Sequence, residues 1–294
     1  MSTRDRNSVV VGVDGSDTSK SAVRVAAELA TERGLNLKII HALDFAPYGF
    51  GGPYMDSGGV YEWVEASGKA ILAEAQEQAF AVNPIIDVHT ELSIGSSAQW
   101  LVDLSENARI VVVGASGSGA AATALLGNTA INVTSHAHCP VVVVRGDAHP
   151  GGPVVVGVDG SPTSERAISV AFQEASMRNA PLVAVHVWSD LGPKAFEDPR
   201  AAALVPQGLE EDEHAVLAES LAGWQEKYPD VRVTREVYID NPRARLLEWS
   251  KKAQLLVVGS RGRGGFKGML LGSTSNSLVG GAHCPVVVVR PARP

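Results

Sequence analysis

The stretch with the clearest chemical content runs from Val257 to Thr274, where a strand-like apolar run breaks into glycines mixed with Arg261, Arg263 and Lys267. A further glycine, Gly272, then opens what reads as a helix, followed by Ser273, Thr274 and Ser275. Glycines let backbone N–H groups approach an anion closely, and a helix start supplies unpaired donors and the positive end of the helix dipole. Hydroxyl and cationic side chains add further donors. The composition is that of a phosphate cradle, and the rest of the chain must position it.

That positioning unit is written twice. VVVGVDGS at 9–16 recurs at 154–161, and AHCPVVVVR at 137–145 recurs at 282–290. Val9 and Val154, Gly114 and Gly259, and Ala137 and Ala282 all stand 145 positions apart. A period this long exceeds that of solenoid repeats, so each copy can close its own core. The expected domains are 1–146 and 153–294, joined by the Gly- and Pro-rich residues 147–152.

Within each copy, apolar runs alternate with segments of helical spacing. In the first, Val9–Val13, Leu35–Leu43, Ile85–Leu92, Arg109–Val113 and Pro140–Arg145 read as strands. Helices are expected up to Arg33 from a cap at Thr18 or Ser19, then at 60–82, 96–107 and 127–135. The second copy follows the same plan, with one helix expected from Gly208 to Tyr228. Strand and helix in alternation imply parallel strands, right-handed crossovers and helices on both faces. The fold class is therefore α/β, as two tandem doubly wound parallel sheets. Valine-rich edge strands invite pairing, so the copies are expected to associate within the chain as a pseudo-dimer, or between chains as a homodimer.

Ligands of doubly wound sheets sit beyond the carboxyl ends of strands, where strand order reverses. Asp14-Gly15-Ser16 and Asp159-Gly160-Ser161 follow first strands, and the glycine loops follow fourth strands. Each copy should thus hold a crevice with an acid on one side and a phosphate-type loop on the other. No G-x-x-x-x-G-K-[ST] motif occurs, and no G-x-G-x-x-G opens a helix after a first strand.

The spacing Gly259, two residues, Gly262, nine residues, Gly272-Ser273 resembles the ATP-binding universal stress proteins, as do the VGVDGS and CPVVVV segments of each copy. The resemblance covers essentially the whole chain. It implies five-stranded sheets of order 3-2-1-4-5 and a nucleotide-dependent sensor or regulator in the stress response. It places Asp159 and the main chain at Val187 against the adenosine, Val258 and Gly259 at the ribose, and Gly262, Gly272, Ser273, Thr274 and Ser275 at the phosphates. Arg261 and Arg263 join them as cations of the loop. Mg2+ or Mn2+ is implied as a companion of the phosphates.

The first copy carries the frame as Asp14, Ala42, Val113, Gly114, Gly117, Gly127, Asn128 and Thr129. Asn128 replaces the hydroxyl of Ser273, and Ala130 stands where the second copy has Ser275. Arg261, Arg263 and Lys267 have Ser116, Ser118 and Ala122 as their counterparts. A cation near phosphate matters at about 1 kcal/mol or more when partly desolvated, so weaker nucleotide binding is expected at the first site.

Plainer readings compete. The glycines could only make tight strand-to-helix connections, and Asp14 and Asp159 could only cap the turns after them. His41 and His186 read as hydrogen-bonded structural histidines. His136, His138 and Cys139 suggest a metal cluster, but the second copy keeps only His283 and Cys284, and no metal site is expected. A net charge of −7 argues against nucleic acid and anionic membrane as partners. No stretch is long and apolar enough for a span or a signal peptide, so a cytoplasmic location is expected. No nucleophile has an evident base, which leaves a slow ATPase and an empty dimeric scaffold as alternatives to a sensor. Residues 44–59 and 190–208, which differ most between the copies, are candidate lids or partner surfaces.

Overall fold

A computed structural model of the protein describes residues 7–43, 58–117, 126–146, 148–188, 209–263 and 270–291. Lys267, Ser118, Ala122 and nearly all of the two variable segments lie outside them. The chain divides into two compact units, Met1–Val144 and Arg145–Pro294.

In the first unit the strands are β1 (Ser8–Gly12), β2 (Asn36–Leu43), β3 (Val88–Ile94), β4 (Ile110–Gly114) and β5 (Val141–Val144). Their order in the sheet is β3-β2-β1-β4-β5, and every described pairing is parallel. Helices α1 (Asp17–Arg33), α2 (Gly58–Val82), α3 (Ser97–Leu104) and α4 (Asn128–His136) form the connections. β1, β4 and β5 are valine runs buried on both faces, as helical layers above and below a parallel sheet require. β3 has only half-buried and exposed positions.

The second unit repeats the arrangement with β6 (Val154–Val158), β7 (Leu182–Trp188), β8 (Val233–Ile239), β9 (Leu255–Gly259) and β10 (Val286–Val289), in the order β8-β7-β6-β9-β10. Its helices are α5 (Pro162–Met177), α6 (Leu209–Ser220), α7 (Trp224–Lys227), α8 (Pro242–Ser250) and α9 (Ser273–Gly281). The single helix expected to reach Tyr228 is two helices. Gly223 has φ +75°, a left-handed conformation that α-helix interiors exclude, and the chain restarts there as α7. Phe172 stacks on Trp224 with ring centroids 5.5 Å apart and fixes that short helix against the core.

The first helix of the first unit is capped by Ser16, two to three residues before the expected Thr18 or Ser19, and that of the second unit by Ser161, so that it starts at Pro162. Ser16 Oγ accepts from Ser19 N–H and Ser161 Oγ accepts from Ser164 N–H, both at 3.2 Å. Such caps each contribute about 1 kcal/mol. Among the described residues no helix is long and apolar enough to cross a membrane.

Candidate functional site

In each unit the first strand pairs with both the second and the fourth, so strand order reverses between first and fourth. The acid turn and the glycine loop leave the sheet at that point.

The turn after the first strand is built by its aspartate. Ser16 N–H donates to Asp14 Oδ1 at 3.1 Å, and Ser16 Oγ–H donates to the same oxygen at 2.6 Å. In the second unit Ser161 N–H donates to Asp159 Oδ1 at 3.0 Å. The other Asp159 oxygen reaches across the crevice and accepts from Arg263 N–H at 3.1 Å. The carboxylates therefore do turn-capping work, and Asp159 also staples the glycine loop to the turn.

That staple explains one glycine in each loop. A Cβ on Gly117 would lie 2.9 Å from Asp14 Oδ2, and one on Gly262 would overlap Asp159 Oδ2 more deeply. The last glycines close the loops in matching fashion: Gly127 N–H donates to Ala115 O at 2.8 Å and Gly272 N–H to Ser260 O at 2.7 Å.

The helices that start at these glycines differ from their neighbours. α1, α3, α5 and α8 have side-chain caps from Ser16, Ser96, Ser161 and Asn241. α4 and α9 begin at Gly127 and Gly272 with no side-chain cap bond. Their first-turn amides are left for another acceptor, and the dipole favours an anion there.

In the first unit these parts enclose a cavity of about 490 Å³. Asp14, Ala42, Val113 and Gly114 line it from the strand ends, and Gly117, Gly127, Asn128 and Thr129 from the loop and the start of α4. Its size falls within the ~300–1,000 Å³ of small-molecule sites. All eight residues singled out in the first copy thus converge. Val113 is buried, and so is Val258 in the second unit.

In the second unit Gly259, Arg261, Gly262, Arg263, Gly272, Ser273 and Thr274 stand in the matching places of the β9 end, the loop and α9. Val187 occupies the matching end of β7, beside His186. Ser275 behaves differently from its neighbours. It is buried, and its hydroxyl donates to Gly259 O at 2.6 Å, which ties α9 back to the end of β9. Its proton is committed to the fold, while Ser273 remains exposed and Thr274 half-buried.

Two features escaped the reading of the residues. Burial and then the nearby charge of Arg261 hold the Arg290 guanidinium below its ordinary value. Arg290 directly follows β10, which pairs with β9, so adjacent strands bring a second guanidinium toward the loop. The second feature is a buried pair. His186 Nδ1 donates to Val158 O at 2.7 Å, and its Nε2 lies 2.5 Å from Glu213 Oε2 on α6. His41 makes the same Nδ1 bond to Val13 O, also at 2.7 Å, but the position equivalent to Glu213 is Gly68. Ser260 adds a smaller difference, a buried hydroxyl with no hydrogen-bond partner among the described residues, where the first unit has Ala115.

Fold and loops define a tandem doubly wound α/β protein with an uncapped glycine-loop helix at the carboxyl end of each sheet. The model of the universal stress protein family matches residues 6–145 and 152–290, and the chain belongs to that family. A universal stress protein of Mycolicibacterium smegmatis is 44% identical, over 96% of this chain and 97% of its own. One from Mycobacterium tuberculosis is 41% identical over 98% of both. The crystal structure of a universal stress protein from Archaeoglobus fulgidus shares the fold, with a TM-score of 0.70 at 20% identity over 98% of both chains.

Proposed function

We propose that the chain binds ATP at the carboxyl ends of its two sheets and acts as a nucleotide-dependent sensor or regulator. The observation that carries the reading is the first-unit cavity, where the acid turn, the end of β2, the glycine loop and an uncapped helix start line one space of suitable volume. In this reading the sugar and base lie toward Asp14 and Ala42, and the phosphates lie at Gly117, Gly127, Asn128 and Thr129. The second unit offers the same frame with stronger anion chemistry. Arg261 and Arg290 repel one another, a repulsion that a phosphate between them would relieve.

A metal ion enters this reading only with the phosphates. Among the described residues no group of three or more His, Cys, Asp or Glu side chains is placed to hold one. Mg2+ or Mn2+ would therefore be carried mainly by phosphate oxygens and water.

Binding becomes signalling only through different affinities for two states or partners. The test is to denature freshly purified protein, identify any released nucleotide by mass, and melt the stripped protein with and without ATP. Intact ATP in the extract and an ATP-dependent rise in melting temperature are expected. Absence of both overturns the proposal, and ADP accumulating on incubation with magnesium replaces the sensor with an ATPase.

A further inference from the structure

We propose that His41 Nε2 reads the exocyclic amino group of a 6-aminopurine nucleotide in the first unit's cavity, at the place where the second unit's histidine is taken by Glu213 and the first unit has Gly68. The inference rests on the nucleotide binding proposed above and adds a residue that selects the base.

A backbone carbonyl only accepts, so the 2.7 Å contact between His41 Nδ1 and Val13 O places the proton on Nδ1. A neutral ring then presents Nε2 as an acceptor. Among the described residues nothing bonds to that nitrogen, and half-buried His41 lines the cavity. A half-enclosed acceptor of this kind favours a ligand atom that brings a proton.

The second unit shows what otherwise occupies the space. His186 is anchored identically to Val158 O, and its Nε2 is taken by Glu213 at 2.5 Å. His186 is fully buried and Glu213 nearly so. Gly68 and Glu213 each stand 27 positions beyond their histidine. A Cβ on Gly68 would lie 3.0 Å from His41 Cδ2, so the two sites correspond in space as well. That Cβ would also lie 2.7 Å from Leu43 Cδ2 and 2.9 Å from Leu92 Cδ1; the residue opposite His186 is Val237, shorter than Leu92. Each unit is internally consistent: a glycine beside a leucine with a receptive histidine, or a glutamate beside a valine with a satisfied one.

An amino group at C6 of the purine donates to Nε2. A 6-oxo group presents lone pairs to a lone pair and is rejected. The full chain is titrated by calorimetry at pH 8 with ATP and with inosine triphosphate, which differ at that position. The wild-type protein is expected to hold one ATP equivalent about tenfold more tightly than inosine triphosphate, the scale of one hydrogen bond. The double variant Gly68→Glu/Leu92→Val, which sets a glutamate and a valine beside His41 as in the second unit, is expected to lose that equivalent, whereas Glu213→Gln keeps the preference.

Equal affinity of the wild type for the two nucleotides overturns this inference and leaves the proposed function standing. So does a folded double variant that retains the preference. If the double variant does not fold, the wild-type comparison alone decides. Failure of the wild type to bind either nucleotide overturns both proposals.

Discussion

The two units share a backbone and differ in chemistry, and the differences cluster at two places around the crevice. At the glycine-loop end, Ser116, Asn128 and Ala130 of the first unit correspond to Arg261, Ser273 and Ser275 of the second. At the end of the second strand, Gly68 and Leu92 of the first unit correspond to Glu213 and Val237 of the second. The strand pairings, the Asp turns and the loop-closing bonds are common to both. Duplication has therefore kept what makes the turn, while the copies have moved apart in what an anion and a base would touch.

The largest expected effect comes from the buried pair, because only one unit has it. One proton lies between His186 Nε2 and Glu213 Oε2, whether as imidazolium and carboxylate or as imidazole and carboxylic acid. Glu213→Ala leaves the buried histidine nitrogen without a partner and opens space beneath α6. A loss of about 2–3 kcal/mol is expected, seen as a melting temperature several degrees lower. His41→Phe in the first unit, where no carboxylate is involved, is expected to cost about half as much. Equal losses would erase the contrast between the two histidines.

The glycine loops come next. Gly262→Ala must displace the Asp159 carboxylate from Arg263 N–H, whereas Gly117→Ala needs a smaller shift of Asp14. Calorimetric titration should show nucleotide affinity at the second site falling tenfold or more for Gly262→Ala, with a smaller loss at the first site for Gly117→Ala. Equal losses would show that the staple is not what holds the second loop.

Arg261→Ser gives the second loop the residue found in the first. It removes a donor to phosphate but relieves the repulsion on Arg290. Affinity for ATP is expected to fall about fivefold, with a flatter dependence on salt, while the stability of the nucleotide-free protein holds or rises slightly. A destabilised apoprotein would show that Arg261 has a structural partner and is not held ready for an anion.

The fold was legible because the repeat and the alternation of strand and helix are strong signals. The strand order was not contained in the residues themselves and came with the family resemblance. That an aspartate and a set of glycines meet at the crevice was legible from their fixed spacing after strands, and their turn-capping and loop-closing roles were legible with it. Three details were hidden for different reasons. The break at Gly223 depends on one dihedral angle, and an isolated glycine does not announce a positive φ. Arg290 becomes part of the loop only once β10 lies beside β9, a non-local fact. The His186–Glu213 pair did leave a trace: Leu209, Glu213, Val216 and Leu217 share one helical face, so a glutamate stands on a stripe otherwise apolar. A carboxylate in that position asks for a buried partner, and the matching glycine of α2 lies on the corresponding stripe with Val64, Ile71 and Leu72.

The smallest difference is expected where the units agree. Cys139 and Cys284 precede the final strands, both buried, and burial pushes each thiol up to about 12. In both units a hydrogen bond with the main chain of the fourth strand, at Val111 and at Leu256, opposes that shift without cancelling it. The thiolate is the reactive form, so neither cysteine should react with a thiol reagent in the native protein at neutral pH, and both should react once the chain is unfolded. The sign of the linkage follows. Below about pH 9 folded and unfolded chains keep the proton and stability is unaffected. Between about 9 and 12 the unfolded thiols lose protons that the folded ones keep, so stability falls as pH rises. Cys139→Ala and Cys284→Ala should each flatten that alkaline decline by a similar amount. A native-state reaction of one thiol only would place the difference between the units in the packing of the sheet itself, beneath the loops.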